Sequence, residues 1–86
     1  MSLRVLDTPD DISAALREAI LVAIPGATIA VTPGSPGHFE IRVISKTFAG
    51  QSMVQQQQRV YAAIKDLMAG DTAPVHAIDR LRTSVE

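Results

Sequence analysis

HFEIRVISKTFAGQSMVQQQQRVYAAI, residues 38–64, decides the fold. His38 to Ser45 alternates, with Phe39, Ile41 and Val43 pointing one way and Glu40 and Arg42 the other, the period-two pattern of a half-buried strand. Phe48-Ala49-Gly50 breaks it. Glycine takes a positive φ at little cost, so the strand can hand over to a helix at Gly50 without a long loop. From Ser52 the period becomes helical: Met53, Val54, Val60, Tyr61, Ile64, Leu67 and Met68 recur at spacings of three, four and seven, leaving the glutamine run and Lys65 mostly toward water. The expected core joins Phe39, Ile41, Val43, Val60, Tyr61 and Ile64 to Leu16 and Ile20 of an earlier helix.

Upstream, Thr8-Pro9-Asp10-Asp11 is a helix start: a hydroxyl N-cap, proline at the first helical position, and two acids near the positive end of the helix dipole. The stripe Ile12, Ala15, Leu16, Ala19, Ile20, Ala23 continues it, and Pro25-Gly26 ends it, so the helix is expected over about Pro9 to Ile24. Thr28 to Thr32 favours a strand, and Pro33-Gly34-Ser35-Pro36-Gly37 is a turn leading into the strand that begins at His38. Downstream, Gly70 stops the second helix and Val75-His76-Ala77-Ile78 reads as a third strand, parallel to the second through a right-handed crossover. The order helix-strand-strand-helix-strand implies an α+β fold with a three-stranded mixed sheet and both helices on one face. Residues 1–86 read as a single domain, with 1–8 as an N-terminal tail.

Composition narrows function. Eight basic and nine acidic residues give a net charge of about −1, so no global field draws nucleic acid or an anionic membrane. With no cysteine in the chain, any sulfur ligand must come from a partner. The longest apolar run, Ala19 to Pro25, is far too short to span a bilayer, and a cytoplasmic protein is the simplest reading. No nucleophile motif, phosphate-binding glycine loop or framed carboxylate pair is present, which argues against an enzyme.

The remaining chemistry lies in two histidines. If the second and third strands are parallel, their N-terminal ends share one sheet edge and carry His38 and His76. Imidazole is a common metal ligand, but a tetrahedral centre wants about four ligands, so this is half a site. Nucleic acid finds little: Gly50-Gln51-Ser52-Met53 has one of the two glycines of a backbone-clamping GxxG loop, and Arg80 and Arg82 are too few for a phosphate track.

His38-Phe39, then Phe48-x-Gly50, then Val60-Tyr61 after a polar run, then Val75-His76-Ala77 make a set whose order and spacing resembles the BolA-like family, closely over residues 38–78. The resemblance implies a fold similar to class II KH domains, often with an added last helix, for which a chain ending at Glu86 leaves no room. It also implies a non-enzymatic partner of a monothiol glutaredoxin, sharing a [2Fe-2S] cluster with that protein and its glutathione in cluster handling or iron sensing, with no cofactor when alone. His76 matches the histidine implicated in holding the cluster. His38 matches the family's histidine before phenylalanine and is a second candidate ligand.

Three departures follow from the same comparison. Thr32 to Gly37 lacks the cysteine or histidine that usually supplies a second ligand, so His38 substitutes, or this chain gives one ligand, or the complex forms without a cluster. Gln55 to Gln58 stands where many members carry an arginine-histidine-arginine triplet, and Arg80 replaces an apolar residue. DNA-linked transcriptional roles in the family make a small nucleic-acid-binding regulator the alternative reading, with Phe48, Gly50, Gln56, Gln57, Gln58, Arg80 and Arg82 as the expected partner or nucleic-acid surface. Self-association as a homodimer is left open.

Overall fold

The structure is a computed structural model and describes residues 8–86. Of the expected tail at 1–8, positions 1–7 lie outside the described residues, and Thr8 is the N-cap of helix α1, Pro9–Ala23, its Oγ1 accepting the Asp11 N–H at 3.1 Å. Ile24 caps the other end by donating its N–H to Ile20 O, so the helix ends at Ala23, one residue before the expected Ile24. Strands β1, Thr28–Pro33, and β2, His38–Ile44, follow, then a 3₁₀ turn at Lys46–Phe48, helix α2 at Met53–Met68 and strand β3 at Ala77–Ser84. A capping box starts α2. Ser52 Oγ accepts the Gln55 N–H at 3.1 Å, and Gln55 Oε1 accepts the Ser52 N–H at 2.9 Å, so two otherwise orphaned donors are satisfied.

The sheet order is β1-β2-β3, with β1 antiparallel to β2 and β2 parallel to β3, as the sequence implies. Both helices cover one face. Phe39, Ile41 and Val43 meet Leu16 and Ile20 of α1 and Val60 and Ile64 of α2, with Ile12, Ile24, Phe48 and Val75 closing the cluster. Four expected placements on α2 are corrected. Tyr61 is 40% exposed, and Met53 and Val54 are also exposed, because α2 presents a narrow seam through Gln56, Val60, Ile64 and Leu67 at i, i+4, i+8 and i+11. Gln56 is therefore 7% exposed rather than facing water, its Nε2 donating to Gln51 O at 3.1 Å.

Strand β3 differs most from expectation. It begins at Ala77 rather than Val75 and runs six residues beyond Ile78, since its extent is fixed by pairing with β2. Phe39 pairs with Ile78 but Glu40 pairs with Arg80, so Asp79 is an extra residue in the ladder. Alternation alone would aim Arg80 at the core. The bulge sets Asp79 and Arg80 outward together and lets Leu81 and Thr83 point inward beside Ile41 and Val43.

Candidate functional site

The parallel pairing of β2 and β3 brings His38 and the segment ending in His76 to one edge of the sheet, His38 pairing with Ala77. His76 is exposed and stands just before β3 rather than within it. Gly37 holds it. Its carbonyl accepts both the His76 N–H at 2.8 Å and the Ala77 N–H at 3.1 Å, and its φ of +79° is a conformation that side chains resist. A Cβ on residue 37 would stand 2.7 Å from both Cγ and Nδ1 of His76. The imidazole thus rests with its Nδ1 side against a bare glycine, and Nε2 lies on the far side of the ring. Glycine is required at 37 on two independent counts, and its place as the last residue of the turn is the signal by which sequence reading could have found it.

His38 is engaged differently. Its Nδ1 lies 2.9 Å from Asp79 Oδ1, with both side chains partly exposed. An ionised carboxylate only accepts, so the bond requires the proton on Nδ1, and in a neutral ring Nε2 then carries the lone pair. That is the orientation which metal-ligating histidines commonly receive from an outer carboxylate. Asp79 carries no such signal in the sequence, because its partner lies 41 residues away on a paired strand.

The other expected surface residues divide. Phe48 is fully buried, with the Arg59 guanidinium 5.1 Å from its ring centroid, so it belongs to the core and not to a partner surface. Gln56 is buried as well. Gly50 and Gln58 are exposed, and Gln57 Nε2 donates to Leu81 O at 3.2 Å, which ties the start of α2 to the outer edge of β3. Gln57 and Arg82 line one cavity of about 390 Å³ along that edge. Arg80 and Arg82 lie on the sheet face away from the helices.

Among the described residues no group of three or more His, Cys, Asp or Glu side chains is placed to hold a metal ion. What the chain offers is imidazole nitrogen at an exposed edge, which fits a group whose remaining ligands come from elsewhere. No helix among the described residues is long and apolar enough to cross a membrane.

Comparison with known proteins gives one consistent result. The model of the BolA-like protein family matches residues 22–85. Over 49 residues the chain is 45% identical to BolA-like protein 1 of Bos taurus and 43% identical to the Homo sapiens protein of that name, and each match covers 57% of this chain and 34% of the relative. The matched stretch is thus about a third of the length of those relatives. Among solved structures, BolA1 from Mus musculus superposes with a TM-score of 0.65 at 24% identity, covering 98% of this chain and 72% of that one. Yeast Fra2 gives 0.61 at 31% identity, covering 83% and 75%. The BolA domain of SufE1 from Arabidopsis thaliana gives 0.64 at 21%, covering 84% and 91%.

Proposed function

The chain belongs to the BolA-like family, and from that premise we propose that it is a non-enzymatic partner of a monothiol glutaredoxin, holding a [2Fe-2S] cluster jointly with it. The reading rests on His76, an exposed imidazole whose backbone and ring are both fixed by Gly37, so that Nε2 is the nitrogen available to iron. A chain without cysteine contributes imidazole alone, and the thiolates come from the glutaredoxin and its glutathione. When bound, the cluster supplies a transferable, redox-active iron centre. Cluster handling or iron sensing in a glutathione-containing compartment, the cytoplasm in the simplest case, follows from this reading. Duplex DNA is expected to bind only in the weak non-specific range, roughly 10⁻⁴ to 10⁻⁶ M at about 0.15 M salt, because Gln55 to Gln58 neutralise no phosphate.

The test is reconstitution of the mixed complex with a monothiol glutaredoxin, followed by visible absorption and circular dichroism. His76→Ala is expected to change the cluster spectrum and shorten its lifetime while leaving the unfolding midpoint of the free chain nearly unchanged, since an exposed residue outside the core supports little packing. His38→Ala should have a smaller effect of the same kind. If His76→Ala unfolds the free protein while the cluster spectrum of the folded fraction is unaltered, His76 is architectural and the proposal fails.

A further inference from the structure

The face of the sheet turned away from the helices carries an unusual set of charges. Ala30 and Thr32 lie on β1, Glu40 and Arg42 on β2, and Arg80 and Arg82 on β3, all exposed, while Asp79, turned to the same side, is engaged by His38 at 2.9 Å. Arg42 and Arg82 are direct partners across the parallel ladder, and like charges placed opposite one another destabilise a sheet. The bulge at Asp79 adds the third guanidinium by turning Arg80 onto the same face. Among the described residues none of these three arginines has an ion pair or a side-chain hydrogen bond.

Arg59 shows how this chain treats an arginine with a structural task. Its guanidinium bonds Thr47 O at 3.2 Å, Thr47 Oγ1 at 3.2 Å and Gln51 Oε1 at 3.0 Å, and lies over the Phe48 ring. The open-face arginines have nothing equivalent, although Glu40 is the cross-strand partner of Arg80. Beside them the small side chains Ala30 and Thr32 leave a hollow of about 270 Å³. Arg42 and Arg82 also line the cavity of about 390 Å³ that continues past Ser84 to Met53 and Gln57. The two hollows form an elongated path from the open face over the edge of β3.

We propose that this path is a docking site for an acidic, extended segment of a protein partner, its carboxylates received by Arg42, Arg80 and Arg82. The guanidinium fork matches carboxylate geometry bidentately, and a bound acid relieves the Arg42–Arg82 repulsion that the free chain carries. Elongation favours a peptide over a compact ion. A nucleic-acid strand fits less well, since its regularly spaced phosphates need a longer row of cations than these three arginines. The inference is independent of the cluster reading.

The test uses the full chain and a fluorescein-labelled hexaglutamate peptide at about 0.05 M salt, where surface electrostatics are least screened. Expected are saturable binding that weakens with salt, and amide shifts centred on Ala30, Thr32, Arg42, Arg82 and Ser84. Arg82→Glu sets an acid opposite Arg42, so it should raise the melting temperature yet weaken the peptide by about tenfold or more. Arg17→Glu on α1 makes the same charge change elsewhere and should alter binding by about twofold at most. Arg42→Gln should weaken the peptide in the same direction and by less than the reversal, should Arg82→Glu fail to fold. Equal weakening by Arg82→Glu and Arg17→Glu, shifts mapped to another face, or tighter binding of inorganic phosphate or duplex DNA than of the peptide would each overturn the proposal.

Discussion

The helix-covered face of the sheet and its open face are built from the same three strands, yet they treat side chains in opposite ways. On the covered face Phe39, Ile41 and Val43 are almost wholly buried, and the nearby Arg59 makes three hydrogen bonds to Thr47 and Gln51. On the open face Arg42 and Arg82 face each other, and among the described residues no acid is bonded between them. The difference is dielectric. An unpaired guanidinium on the covered side would lose its hydration, whereas on the open side water screens the repulsion to a small cost. Burial therefore dictates one face, and the other is left to carry binding chemistry.

The sharpest way to break that contrast is to cut into the covered face. Ile64 is 1% exposed and sits between both helices and β2, so Ile64→Ala should cost about 2 to 5 kcal/mol in denaturant unfolding. Tyr61, three residues earlier on α2, should cost under about 1 kcal/mol on the same change, because it lies outside the seam. Equal losses at the two positions would mean that α2 is rotated from the orientation described.

These two residues also show where the sequence was legible. Period and caps identify both helices, and period two assigns the faces of β2, because each depends on neighbours a few residues apart; the 3₁₀ turn at Lys46–Phe48 and most of β3 are not read this way. Period alone widened the buried face of α2, since an apolar side chain at the flank of a stripe reads the same whether or not another element reaches it. For that reason the stripe alone puts Tyr61 inside and Gln56 outside. The extent of β3 and its bulge depend on pairing with β2 some forty residues earlier, which no local pattern encodes. His76 and His38 are legible as edge imidazoles, but their fixing partners Gly37 and Asp79 are not, being set by the turn conformation and by the pairing of β2 with β3.

A smaller effect is expected where the edge site meets the turn. Gly37→Ala forces a side chain into a backbone of positive φ and against the His76 ring, and should cost about 1 to 3 kcal/mol. Gly34→Ala is the control. A Cβ there meets only ordinary contacts at 3.7 and 3.9 Å, so stability should change by less than about 1 kcal/mol, and in the favourable direction if the altered chain entropy dominates. Nuclear magnetic resonance should show the His76 ring signals displaced in Gly37→Ala and unmoved in Gly34→Ala. Unmoved ring signals in both would mean that Gly37 does not set the imidazole.

The smallest expected effect comes from the most drastic-looking change, deletion of Asp79 from the interior of β3. Because Phe39 pairs with Ile78 and Glu40 with Arg80, removing the residue between them closes the bulge into a regular ladder and leaves Arg80 and Arg82 outward, Leu81 and Thr83 inward. The cost is then the partly exposed contact between His38 and Asp79, about 0 to 1 kcal/mol. In a strand without the bulge the same deletion would shift every later residue by one, driving both arginines toward the core and Leu81 into water, a change that would unfold so small a domain. A cooperative unfolding transition within about 1 kcal/mol of the parent is expected, together with loss of the Asp79-dependent Nδ1 proton signal of His38. Collapse of the deletion variant would show instead that β3 has no spare residue, that the outward turn of Arg80 has another origin, and that the two faces are separated by a register other than the one described.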